Sequence, residues 1–230
     1  MESPAPAPPP APDAGPDRRM EILRQAAQVF REKGYHGAGM REIAKGIGVA
    51  PGALYYYFAS KEDLLYAVQD ISLTRLLDVG RQLAGERGPA DARLRKLLHA
   101  HLDLTLDELG GSAAHVEFHA LPEPRLRKIV KKRDAYEAQI RAILQDGMHE
   151  GVFRQVDVKL STLAILGALN WTVFWWRPGG PWTTEDLVDG FADVVLRGLL
   201  QPPPQTAARV PRDPAGGDPA RTPRGEKEPS

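Results

Sequence analysis

Residues 39–61 read GMREIAKGIGVAPGALYYYFASK, and this stretch decides how the rest of the chain is read. Met40, Ile43, Ala44 and Ile47 recur at three- and four-residue spacing, a helical stripe barely two turns long. Gly46 and Gly48 bracket its end, and Pro51 stands where a first helical residue needs no N–H. A second short helix then runs to about Phe58, with Leu54 and Phe58, four apart, as its buried positions. Ser60 is placed to cap the helix that follows, with Asp63 three residues on as an approximate capping box. Two short helices joined by a tight glycine-containing turn give the outline of a helix-turn-helix. In that unit the second helix enters the major groove of DNA and the first crosses the backbone. Tyr55, Tyr56 and Tyr57 are consecutive and so span about 300° of a helix. They cannot all pack inward. At least two point outward, where a phenol can donate to a phosphate oxygen; the plainer alternative is that they cover the rim of the core. Gly52, without a side chain, would let the backbone approach base edges closely.

Outward from this unit the pattern stays helical. Met20, Leu23, Ala26, Ala27 and Phe30 form one buried stripe, and Lys33-Gly34 closes that helix with a basic last turn and a C-cap glycine. Further helices are predicted near 61–84, 91–109, 113–120, 124–149, 158–176 and 184–199. Pro89, Pro122 and Pro124, Gly147 and Gly151, and the stretch from Pro178 to Pro181 separate them. No segment shows sustained strand alternation, so the fold class is all-α.

Composition removes several function classes. The 230 residues hold 30 Lys+Arg and 30 Asp+Glu, which argues against binding polyanions through bulk charge. With no Cys, thiol catalysis, disulfides and Cys-ligated metals are excluded. Charge is nevertheless uneven. Residues 18–61 carry eight basic groups against three acidic ones, whereas 62–200 carry seventeen against twenty. A small basic module attached to a neutral body faces an anion; a solvated helix face is the plainer alternative. Prolines are uneven too, with seven in residues 1–17 and eight in 201–230 out of 21. Both tails lack apolar periodicity and are expected to be disordered. The N-terminal one has no basic start followed by an apolar run, as a signal peptide would. The expected organisation is tail 1–17, helix-turn-helix domain 18–64, ligand-binding and dimerisation domain 65–200, and tail 201–230.

The 158–176 segment (VKLSTLAILGALNWTVFWW) is apolar nearly all round. Its length would suit a membrane span, but Lys159, Asn170 and its solitary occurrence favour a helix buried on two faces, one of them against a second subunit. The 184–199 segment carries a similarly wide apolar face. Together the two predict a four-helix homodimer interface through Leu169, Trp176, Leu187, Phe191 and Val195, with no membrane contact.

The run GMREIAKGIGVAPGALYYYFASKEDLL resembles the DNA-binding signature of TetR/AcrR-type transcriptional regulators, an R-E-I-A helix, a turn, then G-x-L-Y-x-[HY]-F-x-x-K-x-x-L. The resemblance covers about 27 residues in succession. It implies an all-helical homodimer with an N-terminal three-helix head and a C-terminal effector domain, acting on double-stranded operator DNA in the cytoplasm. By matching positions, Arg41, Ala50, Pro51 and Gly52 would face or flank bases, and Tyr55, Tyr56, Tyr57 and Lys61 would contact or abut phosphates. Two departures stand out. Gly39 occupies the place of the usual Thr cap before the R-E-I-A helix, and Tyr57 that of a common His.

The stretch GALNWTVFWWRPGGPWTTEDLVDGFADVVLRGL is similar to the last two helices of a subgroup whose characterised members respond to acyl-CoA thioesters. On that resemblance Trp171 or Trp175 would line a pocket for an acyl group, the alternative being that all the tryptophans sit in the dimer core. Residues 125–133 (RLRKIVKKR) are six-ninths basic, and Arg125, Lys128 and Lys132, with Arg127 and Lys131 beside them, would suit the phosphates of CoA unless they are a solvated face. His115 and His119 stand at i, i+4 with Glu117 between, and His149 lies elsewhere. His115 and His119 read as pocket-lining or surface groups. Two imidazoles at that spacing can share a zinc, but no third ligand is placed, so no metal is expected. The reading is a ligand-responsive regulator, a repressor released by a small-molecule effector, with acyl-CoA as the best candidate and no resident cofactor. The other readings are a different hydrophobic or aromatic effector, a DNA-binding protein without any small ligand, and a helical-bundle metalloenzyme using the histidines. No ordered nucleophile–base pair or phosphate loop supports the enzyme.

Overall fold

The computed structural model describes residues 16–107, 117–177 and 179–201. They form eight α-helices: α1 (Pro16–Gly37), α2 (Met40–Gly46), α3 (Pro51–Tyr57), α4 (Lys61–Gly85), α5 (Ala90–Leu106), α6 (Arg125–His149), α7 (Val158–Trp175) and α8 (Thr184–Leu199). Among the described residues there is no β-strand, only an isolated antiparallel bridge between Phe153 and Leu200. The all-α fold is thus observed. Of the helix expected at 113–120, residues 117–120 are described, and they form a single 3-10 turn. The expected tails, apart from their innermost residues, lie outside the described part of the chain.

The helix ends follow the local chemistry. α1 breaks its helical geometry at Gly34, whose φ of 71° is open to glycine and costly for other residues. Gly48, at φ 68°, makes the turn between α2 and α3. Ser60 accepts from the Asp63 N–H at 3.2 Å, while the Asp63 carboxylate goes elsewhere, so only half of the expected capping box forms. α8 has the complete box: Thr183 N–H donates to Asp186 at 2.9 Å and Asp186 N–H donates to the Thr183 hydroxyl at 3.1 Å. The Thr183 hydroxyl, donating to the Asp186 carboxylate at 2.7 Å, and after it the Thr183 N–H hold that carboxyl below the usual carboxylate range.

The head packs α1, α2 and α3 around Phe30, Ile43, Leu54 and Phe58, all buried. α4 then runs unbroken out of the head and into the body, so the domain edge expected at 64/65 falls inside one helix. In the body α4 packs on α5 and α6, and α5 in turn on α7 and α8. The start of α5 is pinned to the end of α6 through Arg93. Its guanidinium, buried, donates to Asp146 and to Glu150 at 3.0 Å each, while Glu150 also accepts the Ala90 N–H at 2.9 Å. Gly147 lies so close under the buried Phe153 ring that a Cβ there would collide with it.

α7 packs its buried side (Thr162, Ile165, Leu169, Thr172, Val173) into the protomer and leaves Leu160, Trp171, Phe174 and Trp175 exposed. Of the residues expected at the partner interface, Leu169 and Leu187 are buried within the single chain, Leu187 at the base of a groove between α7 and α8. Phe191, Val195 and Trp176 are only partly covered.

Candidate DNA-binding head and effector cavity

α3 can present a surface because its two apolar side chains, Leu54 and Phe58, point into the core and anchor it. Most of the rest of its circumference faces outward. Tyr55 and Tyr56 are 51% and 66% exposed, whereas Tyr57 is partly buried and meets Tyr56 edge-on at 5.2 Å. Two tyrosines thus face outward, as the helical rotation requires. Ala50, Pro51 and Gly52 are exposed at the start of α3, and Arg41 is exposed on α2. A Cβ added at Gly52 would meet nothing within 4 Å, so the protomer's own packing does not demand glycine there. Gly39 caps α2 without any side-chain bond.

Lys61 is placed otherwise than the phosphate role would have it. Its ammonium donates to the carbonyls of Tyr35 (2.9 Å) and Ala38 (3.2 Å) and sits 4.4 Å from the centre of the Tyr35 ring. It therefore closes the C-terminal end of α1, where orphan carbonyls and the helix dipole favour a cation. The Tyr35 hydroxyl donates to Glu62 at 3.1 Å, and burial together with the Glu62 carboxylate pushes that phenol up to about 12. Lys61, Glu62 and Tyr35 thus fasten α1 to α4.

The basic stretch on α6 is also committed in part. Arg125 pairs with Asp63 of α4 and lies over the Tyr66 ring. Lys132 donates to the Asp70 carboxylate and, at 2.7 Å, to the Thr74 hydroxyl, both on α4. These two cations, expected to face ligand phosphates, instead tie α6 to α4. Lys128 and Lys131 are exposed, and Arg127 pairs with Glu123 at 3.0 Å.

A cavity of about 310 Å³ opens between α4, α5, α6 and α7. Leu73, Leu76, His101, Thr105 and Tyr136 form its buried depth; Arg133, Glu137, Leu166 and Asn170 are partly exposed, and Asp134, Leu163 and Gly167 stand at the rim. The Arg133 guanidinium lies 4.4 Å from the Phe118 ring, and desolvation draws its pKa below the usual arginine value. None of the expected ligand residues that are described lines this space. Trp171 and Trp175 are on the outer surface, His119 is exposed with its ring against Phe118, and His115 lies outside the described residues. Trp175 lines a different feature, an apolar groove of about 380 Å³ between α7 and α8 that also takes in Trp182, Phe191, Val194 and Val195. A sequence signal for the lining of this cavity did exist. His101 and Thr105 fall on the same stripe of α5 as Leu94, Leu97 and Leu98, and Arg133 and Tyr136 fall on the stripe of Ile129 and Ile140, so polar residues interrupt two apolar faces.

Lys61→Met keeps the aliphatic cover of Tyr35 and removes the charge from the α1 carbonyls. We expect about 2 kcal/mol of destabilisation, a Tm lower by on the order of 4–8 °C, in a calorimetric melt. An unchanged Tm would assign Lys61 no structural part.

Known families resemble both the N-terminal and the C-terminal part of the chain. Residues 22–68 match the profile described as bacterial regulatory proteins, tetR family, and residues 87–199 that described as the tetracyclin repressor-like C-terminal domain. The HTH-type transcriptional repressor KstR2 of Mycobacterium tuberculosis is 31% identical over 195 residues, which span 80% of this chain and 94% of KstR2. A solved structure of KstR2, a ketosteroid transcriptional regulator, superposes with a TM-score of 0.75 at 28% identity, covering 84% of this chain and all of that one. PfmR, a TetR-family regulator from Thermus thermophilus, gives a TM-score of 0.70 at 34% identity over 78% of this chain and 99% of its own. The fatty acid metabolism regulator protein of Bacillus subtilis is 28% identical over 68% of this chain and 82% of its own. With a helix-turn-helix head followed by a helical body, this chain belongs to the TetR family of bacterial transcription regulators.

Proposed function

We propose that the protein is a repressor that binds a palindromic operator as a homodimer and lets go when an acyl-CoA thioester seats its acyl part in the α4–α7 cavity. The observation carrying this reading is that one helix serves both ends. α4 begins in the head and supplies Leu73 and Leu76 to the cavity wall. α6 holds α4 through Arg125 and Lys132, and its neighbouring residues Arg133 and Tyr136 face the cavity. A ligand that binds better to one α4–α6 arrangement shifts the population toward it and moves the heads. Two heads must reach major grooves about one turn, 34–36 Å, apart, so a shift of a few ångströms breaks simultaneous contact.

In this reading Arg41 and the Ala50–Gly52 corner face base edges, and Tyr55 and Tyr56 donate to phosphates. Because nothing in the protomer crowds position 52, Gly52→Leu should leave the melting temperature within a few degrees yet weaken operator binding at least tenfold in fluorescence anisotropy. Equal affinity for the operator would remove α3 from the groove.

Dimerisation is assigned to the exposed apolar surface of α7 and α8. Trp171, Trp175, Trp182 and Val194 are too extensive an apolar patch to face water comfortably. Val194, 74% exposed in the single chain, can be changed without touching the core. We expect sedimentation of the wild type at twice the 25.2 kDa of one chain, and Val194→Asp to weaken the dimer on the order of a hundredfold by trapping a charge. A wild-type monomer at micromolar concentration would end this assignment.

A second reading is favoured by one observation. Since Arg125 and Lys132 are engaged by α4, a hydrophobic effector without CoA, held wholly in the cavity, needs no further cation. A gel-shift panel of acyl-CoA esters of increasing chain length with their matching acids separates the two. Release by esters but not acids supports the first reading; release by acids alone, or by neither, overturns it.

A further inference from the structure

The deep end of the cavity is polar although its surroundings are not. Nδ1 of His101 stands 3.1 Å from the Tyr136 hydroxyl oxygen, with the two rings stacked 5.7 Å apart. Both residues are buried, and so is Thr105, one turn along α5. Burial pushes the Tyr136 phenol well up, so it keeps its proton and stays a donor throughout the physiological range. A hydroxyl among leucines is costly unless a hydrogen-bonding partner compensates it. A saturated chain seated here would set Tyr136 and Thr105 against methylenes.

Charge narrows the class further. Arg133, the guanidinium of the lining, is accompanied by Asp134 and Glu137, and none of the three belongs to the buried depth. A carboxylate driven to the deep end would leave the Arg133 guanidinium behind, with the Asp134 and Glu137 carboxylates nearer the mouth. A carbonyl or hydroxyl oxygen has no such difficulty. Size points the same way, since about 310 Å³ lies at the small end of ligand pockets and suits a ring or a short chain rather than a long one.

We propose that the effector carries, on the part seated in this cavity, an uncharged ketone or secondary alcohol on a ring or short chain, whose oxygen accepts a hydrogen bond from the Tyr136–His101 pair. With the imidazole proton on Nδ1 donating to the phenol oxygen, the Tyr136 hydrogen is the donor offered to the ligand. The inference rests on this cavity being the effector site, as above, but not on the effector being a CoA ester. Tyr136 and His101 thereby become specificity-determining residues, selecting oxygenated over plain hydrocarbon groups.

Two matched probes test it: cyclohexanecarboxylate and 4-oxocyclohexanecarboxylate, each as the free acid and as the CoA thioester, titrated calorimetrically into the full-length protein. The ring oxygen lies opposite the carboxyl, so it reaches the deep end while the carboxyl or thioester stays toward Arg133. We expect the oxo compound to bind at least tenfold more tightly than its plain partner. Tyr136→Phe should abolish that preference while changing the plain compound's affinity less than twofold. His101→Leu, which takes away the imidazole that orients the phenol, should weaken the preference without abolishing it, and a cooperative melt checks that each variant folds. An oxo preference confined to the free acids keeps the polar end and removes the CoA reading. Tight binding of plain esters with no oxo preference keeps the CoA reading and overturns this one. Failure of both oxo forms to bind, or a preference that survives both substitutions, also overturns it.

Discussion

The contact on which the molecule's working parts depend is the fastening of α6 to α4. Asp63, Asp70 and Thr74 on α4 meet Arg125 and Lys132 on α6, and further along Gln139 donates to the Leu77 carbonyl at 3.1 Å. Gly80 leaves room for Gln139 to lie against α4. Ion pairs at a protein surface are individually worth little. These are partly buried, share one pair of helices and alternate with leucine packing, so their effect is to fix the register of α6 on α4. α4 also starts in the head, where it packs on α1.

This arrangement also explains why the strongly basic run at 125–133 does not make a phosphate site as a whole. Within that run alternate faces do different work. Arg125 and Lys132 turn toward acidic α4, Arg133 turns toward the cavity and the Phe118 ring, and Arg127, Lys128 and Lys131 stay in solvent. A cation is available to a ligand only when no carboxylate of the fold reaches it first.

The head follows the same rule. Lys61 directs its charge to the end of α1, and α2 lacks a side-chain cap at Gly39, so the outward surface of the reading unit is left to Arg41, the α3 corner and the tyrosines. The body, for its part, keeps an apolar outer face on α7 and α8 that its own core does not use.

What the sequence determined by itself is whatever depends on neighbours along the chain. Helix periodicity, the cap at Ser60, the glycines at 34 and 48 and the two-helix unit at 40–57 are interactions within a few residues, so their pattern is visible in order. The outward turn of Tyr55 and Tyr56 likewise follows from helical rotation. Tertiary structure alone decided the rest. α7 is apolar nearly all round and so gives no phase; only packing chose Leu169 for the core and Trp171 for the surface. The cavity joins residues as far apart as Leu73 and Asn170, and the pairing of Lys132 with Asp70 bridges 62 positions. Periodicity cannot say which distant carboxylate finds a given lysine, because that depends on how four helices are set against one another in space.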